Sequence, residues 1–338
     1  MELPELSGRG VAVKKISPIF LFLFLWSFFP AFASDVASLK TSIESISKSI
    51  NARWGIYMKN IDTGDEIAIN ADSVMETMSV IKIPIMVEAF RQIQEGKIKL
   101  SDRIEWNDDR RRWGTGILQS LDSGMQPTFK DYLKLMIVVS DNSGTDVVLD
   151  KIGGPSAVDT AMKNMGFKSI HCPGTTFDWF RALAIAVDPS YGNLGPAALF
   201  AKGFPESPKA EEAIWKFHAE EKHPFGLASP REIGRLLEMI ARGQAVSAEA
   251  SKQMIDIMRE QFYTSRIPHY LPNPWGVPHK TGDFPPYLAN DVGILEPGKS
   301  KIVLVVFNSH FQGEYPLLED AVARIAREIY NFYFVKTS

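Results

Sequence analysis

Cysteine is almost missing from this sequence. Its 338 residues include one, Cys172, so no internal disulfide can form and the thiol reads as a packing residue rather than a reactive one. Histidine is sparse too. The six, at 171, 218, 223, 269, 279 and 310, are scattered and never fall at His-x-x-x-His or similar ligand spacing, so no metal and no cofactor are implied. No basic cluster is interleaved with aromatics, and the formal net charge is only −3, which leaves nucleic-acid binding without support. Internal repeats and low-complexity runs are absent from the body of the chain. What remains is ordinary globular composition, 45% apolar and 23% charged, enough for one large domain or two intimately packed lobes.

The N-terminus reads as a targeting segment. Lys14 and Lys15 precede an apolar run from Pro18 to Trp26 that continues through Phe28, Phe29 and Phe32. Ala31-Phe32-Ala33 then supplies the small-x-small pattern of signal-peptidase cleavage. A cleaved signal peptide over 1–33 is therefore expected, with Ser34 as the mature N-terminus. The apolar core is short for a bilayer span and contains Pro30, so no lasting membrane anchor is expected. No cysteine follows the cleavage site to carry a lipid. A bacterial periplasmic or secreted protein, free of disulfides and monomeric, is the expectation.

Past Ser34, the segment Val36 to Ile50 has helical spacing. Two strand-like runs, 54–58 and 66–69, flank the turn Asp62-Thr63-Gly64-Asp65. A long apolar-periodic helix is expected from Ser79 to Gln94, with Pro84 tolerated in its first turns. Helical patterns dominate from Thr128 to Met258, broken by an irregular stretch from about His171 to Leu227 that is rich in Pro and Gly. Strands return at 292–295 and 302–307, and a final helix runs from Leu317 to Tyr330. Strands at both ends with helices between predict a sheet assembled from both termini. The expected fold class is α/β, an α+β sandwich lobe (about 34–75 and 276–338) plus an all-α lobe (about 76–275), within a single catalytic domain over 34–338.

Three motifs follow in order: Ser79-Val80-Ile81-Lys82, Ser140-Asp141-Asn142 and Lys280-Thr281-Gly282. Each alone is weak, and Ser45-Ile46-Ser47-Lys48 is a second, unaccompanied Ser-x-x-Lys match. Together they describe one acyl-transfer site. A serine hydroxyl needs a base within reach, and positions i and i+3 of a helix share a face, so Lys82 is expected to bring its amine to Ser79. Burial and a neighbouring cation such as Lys280 would lower the lysine pKa enough for that role. Ser79 at a helix start also turns backbone N–H groups toward a developing oxyanion. Ser140 would relay a proton to a leaving nitrogen, and Asn142 would hold a substrate carbonyl. Lys280 and Thr281, projecting from an edge strand, would receive a substrate carboxylate while Gly282 lets ligand approach the backbone.

This set resembles the class A serine β-lactamases and the related penicillin-binding proteins. The resemblance extends to the runs 136–146, 226–232 and 290–294, and to Gly114-Thr115-Gly116-Ile117-Leu118, which looks like the family's active-site rim beside Trp113. It implies a serine β-lactamase / D,D-peptidase-like fold with an antiparallel sheet. It also implies a small-molecule β-lactam or peptidoglycan-like substrate, and an oxyanion hole from the backbone N–H groups of Ser79 and Asp283. One element is missing: the family's Glu-x-x-Leu-Asn, whose glutamate activates water for deacylation. The 171–227 segment offers Asp188, Glu206, Glu211, Glu212, Glu220 and Glu221 in its place, without choosing among them. Four functions are compatible with these residues: a β-lactam hydrolase, a penicillin-binding or D,D-peptidase-like protein that releases its acyl group slowly, a serine esterase or amidase on other small substrates, and a catalytically silent binding module.

Overall fold

The computed structural model describes residues 35–337; the expected signal peptide, 1–33, lies outside them. The chain enters through α1 (Val36–Lys48), where the Asp35 side chain accepts the Ser38 N–H at 2.7 Å and closes the helix start. β1 (Arg53–Asn60) and β2 (Glu66–Ile69) form the expected hairpin, and Gly64 in its turn adopts φ 82°, a conformation glycine takes without steric cost. β3 (Met75–Glu76) leads into a 3-10 turn over Met78–Ile81 and then α2 (Lys82–Gln94). The single helix predicted from Ser79 therefore winds its first turn more tightly than an α-helix.

α3 (Phe129–Val138) opens on a capping box between Thr128 and Asp131, followed by α4 (Asn142–Ile152) and α5 (Pro155–Asn164). The stretch 171–227, irregular by its turn formers, is largely helical: α6 (Thr176–Val187), α7 (Pro196–Lys202) and α8 (Ala210–Ala219). Pro196 occupies the first turn of α7 and Gly203 its C-terminal cap, so these residues delimit a helix rather than forbid one. β4 (Leu227–Ala228) pairs with β3, and α9 (Pro230–Ala241) and α10 (Ala248–Arg259) follow. β5 (His279–Phe284), β6 (Leu288–Leu295), β7 (Ile302–Ser309) and α11 (Tyr315–Thr337) complete the chain.

The sheet is antiparallel in the order β2-β1-β7-β6-β5, with β1 against β7 in register from Arg53–Ser309 to Asn60–Ile302. Both termini thus build it, as the sequence predicts. Alternation along β7 divides two cores. Ile302, Leu304 and Val306 pack with α1 and α11, whereas Val303, Val305 and Phe307 join the core that surrounds α2. α9 lies on β1 and β7, so part of the segment assigned to the helical lobe belongs structurally to the sheet. β5 is an edge strand, packed against the 3-10 turn that carries Ser79.

One side chain fixes α6 to the rest. Asp146 on α4 accepts the N–H groups of Thr176 and Phe177, at 2.7 and 3.1 Å, and pairs with Arg112 at 2.5 Å. It thereby satisfies two of the orphan donors at the α6 N-terminus. Replacing Asp146 by Ala leaves those donors without an acceptor and the guanidinium without its counter-ion, and is expected to cost about 3–5 kcal/mol. Denaturant unfolding would show the loss, with accelerated amide exchange at Thr176 and Phe177; exchange there at the wild-type rate would refute the anchoring.

Candidate active site

Three distant segments meet at one hydroxyl. Lys82, at the start of α2, donates to Ser140 O at 2.8 Å, Ser140 Oγ at 3.1 Å and Asn142 Oδ1 at 2.9 Å. Lys280 on β5 donates to the same Ser140 Oγ at 3.0 Å and to Thr281 O at 2.9 Å. Both lysines are wholly buried. Burial drives the Lys82 amine well below its ordinary pKa, and the charge of Lys280 pushes it the same way. Burial brings Lys280 down to about 7, against the opposing pull of Asp283 and Asp291. The arrangement yields two neighbouring amines, both less basic than an ordinary lysine.

The loop bearing Ser140 is strained. Ser140 takes φ 53° and Met78, just before Ser79, takes φ 47°, left-handed conformations that non-glycine residues adopt at a cost. Asp141 holds the Ser140 loop against the rim. Its carboxylate accepts Ile117 N, Leu118 N and Gly144 N at 2.7, 2.9 and 2.8 Å. Burial nonetheless pushes its pKa up. Gly116, at φ 110°, has no room for a Cβ, which would lie 2.3 Å from Asp141 Cγ. Asn142 reaches both ways, accepting from Lys82 and donating to Trp113 O at 2.9 Å.

Ser79 stands on the wall of a cavity of about 430 Å³, together with Thr115, Asn142, Tyr263, Ser265, Arg266 and Asp283. Lys82, Ser140 and Lys280 are not among the lining residues; Asn142, which is, accepts from Lys82 and so joins them to the cavity. Gly282 lets β5 lie flush against the Ser79 turn, since a Cβ there would sit 2.4 Å from Thr77 O and 3.2 Å from Ser79 N.

Two expectations change. No hydrogen bond joins Lys82 Nζ to Ser79 Oγ among the described residues; a fully buried amine takes the carbonyl, hydroxyl and amide oxygens of 140 and 142 instead. Neither Lys280 nor Thr281 is among the residues lining the cavity; both are fully buried, and Thr281 Oγ1 has no hydrogen-bond partner among the described residues.

Arg266 went unnoticed in the sequence. Buried at the cavity edge, it donates to Asn290 O at 2.7 Å and pairs with Asp283 and Glu319, tying β5 to β6. A lone arginine in an aperiodic segment after α10 carries no motif, so only the fold reveals it.

None of the six acids offered by the 171–227 segment lines the cavity. Asp188 caps the turn that follows α6, accepting Ser190 N at 2.9 Å. Glu211 and Glu212 occupy the first turn of α8. Glu206 is exposed, and Glu220 and Glu221 form surface ion pairs with Lys222 and Arg53.

Comparison with known proteins decides the family. The model of the Beta-lactamase enzyme family matches residues 38–333. The chain belongs to that family. It is similar to Beta-lactamase VEB-1 of Pseudomonas aeruginosa, 25% identical over 96% of this chain and 99% of the relative. Two solved structures share the fold. TLA-3 extended-spectrum beta-lactamase has a TM-score of 0.72 at 18% identity, over 89% of this chain and 100% of that one. A PBP-A mutant, solved as an acyl-enzyme complex with penicillin G, has a TM-score of 0.68 at 22% identity, over 88% and 97%.

In this β-lactamase-family chain the buried Lys280 is a stability group as well. Its pKa is lower folded, about 7, than unfolded, 10.5, so the unfolded state binds more protons between those values. Stability is then retained above the unfolded pKa and falls by about 1.4 kcal/mol per pH unit as pH drops through that window. Lys280→Met removes this slope. The variant is expected to gain more melting temperature over wild type at acidic than at alkaline pH; an equal difference at both would refute the shift.

Proposed function

We propose that this protein is an exported serine hydrolase that opens β-lactam rings through an acyl-enzyme at Ser79. The observation carrying this reading is the Ser140 hydroxyl held between two buried amines and joined to the Ser79 cavity through Asn142, which accepts from Lys82 and lines that cavity. Ser79 Oγ attacks the lactam carbonyl carbon while its proton passes to neutral Lys82. Hydrogen bonds of this kind commonly tighten only when substrate is bound. The backbone N–H groups of Ser79 and Asp283 stabilise the oxyanion. The C–N bond then breaks, Ser140 gives its proton to the leaving nitrogen, and the Lys82 ammonium restores the Ser140 proton across the 3.1 Å contact. Water hydrolyses the resulting ester, releasing the ring-opened acid and the free serine. The charged and apolar pattern of residues 14–33 supports export to the periplasm or exterior.

A second reading is favoured by one observation. Among the described residues, the only carboxylates on the cavity wall are Asp283 and Glu319, and both are engaged, Asp283 by Arg266 and Tyr315, Glu319 by Ser265 and Arg266. With no free carboxylate positioned to activate water, release of the ester is slow and the protein behaves as a penicillin-binding acyl-enzyme former. Mass spectrometry after brief and prolonged exposure to a penicillin separates the two. Hydrolysed product in large excess over protein supports the hydrolase, and an adduct on Ser79 persisting for hours supports the second reading. Ser79→Ala is expected to abolish both signals. Penicillin that is neither consumed nor attached would overturn acyl transfer altogether.

A further inference from the structure

The helices of segment 171–227, which supply no carboxylate to the cavity, supply an aromatic wall instead. Trp179, Phe180 and Leu183 of α6 line it, joined by Phe225, Phe284 and Met78. The rings are locked edge to face. Trp179 stands 5.0 Å from Phe180, 6.1 Å from Phe225, 5.1 Å from Phe284 and, behind the wall, 5.9 Å from Phe217. Such pairs are worth about 0.5–1.5 kcal/mol each beyond their area, so the wall exists before any ligand arrives and needs no ordering on binding.

Its position relative to the reacting centre is fixed. A Cβ at Gly114 would meet Phe180 Cζ at 2.8 Å and Asn142 Nδ2 at 2.7 Å. Phe180 therefore stands beside Asn142, which accepts from Lys82. The cavity has two unlike halves. Ser265, Arg266, Asp283 and Glu319 make one side polar, and the α6 side offers no charged lining group.

Resting on the acyl-transfer reading above, we infer that this protein selects substrates with an uncharged aromatic substituent on the acyl side, received by Trp179, Phe180 and Leu183. A flat ring there replaces water against preformed rings. A carboxylate or ammonium in the same place would be desolvated with no charged partner. The cavity volume of about 430 Å³ lies within the range of small-molecule sites.

The test compares the second-order rates at which benzylpenicillin and 6-aminopenicillanic acid, which carries a bare amine in place of the phenylacetamide, attach to Ser79. For the full chain, the ratio is expected to favour benzylpenicillin by about tenfold or more. Phe180→Ala and Leu183→Ala are each expected to collapse the ratio several-fold, and Phe262→Ala, on the surface outside the cavity, to leave it alone. A loss of folded protein scales both rates together and cancels in the ratio. Should Phe180→Ala fail to fold, Phe180→Leu tests the ring with less disturbance. Equal rates for the two penicillins, or a ratio untouched by both α6 substitutions, would overturn the inference. If both compounds are neither consumed nor attached to Ser79, the acyl-transfer reading itself is overturned instead.

Discussion

The hydroxyl of Ser140 is the point on which the rest of the structure turns. Two lysines that sequence places 198 residues apart, 82 and 280, donate to one oxygen. That contact joins the first turn of α2, the α3–α4 loop and the edge strand β5. Two ammonium groups so close, both out of water, cannot both stay charged at modest cost. The fold accepts the burial because each amine also finds a carbonyl oxygen, and the electrostatic consequence is a pair of amines less basic than ordinary lysines. The same desolvation that lowers their basicity makes the folded state less favourable as pH falls. The left-handed conformation of Ser140 belongs to this cost, since it aims the hydroxyl into the gap between the two amines.

Much of this was legible in the sequence, for identifiable reasons. The hairpin over 53–69 shows because alternation and a Gly-containing turn coincide there. The motif order shows because Ser, Lys and Asn carry chemistry that a fold must bring together. The edge placement of Lys280 followed from strands returning late in the chain. Other features were hidden because they depend on geometry finer than spacing. The residues Ser79 and Lys82 stand three apart, but a 3-10 first turn and the stronger acceptors at 140 and 142 draw the amine past its neighbour. Lys280 and Thr281 are both fully buried behind the residues that line the cavity, a depth that the tripeptide alone does not show. Arg266 belongs to no periodic element, so no pattern marks it.

The segment 171–227 was the least legible, because its prolines and glycines have two meanings. Between helices they are boundaries, and in a linear reading they look like disorder of pattern. Its acids were equally ambiguous. Placed by the fold, they serve the helices that bear them: Asp188 as a cap, Glu211 and Glu212 near a helix N-terminus where negative charge is favoured. Those roles keep them at helix ends and on the surface, away from the cavity.

α4 connects the chemistry to the wall. Its N-terminal side carries Ser140, Asp141 and Asn142, and one turn further on Asp146 captures the start of α6. A shift of α4 would therefore move the Ser140 hydroxyl and the aromatic wall together, whereas a change confined to the side chains of α6 would alter the lining of the cavity and leave the contacts of Ser140 with the two lysines in place. This explains how a segment so unlike the rest of the motif-bearing chain can be accommodated. The Ser79 turn is held by β5 through Gly282 and by the β3–β4 pair, where Thr77 N donates to Gly226 O at 2.8 Å. α6 meets both supports through one side chain, Trp179, which packs on Phe284 of β5 and on Phe225 beside Gly226. The turn is thus held by backbone contacts of the sheet, and the side chains of α6 set the character of the wall beside it.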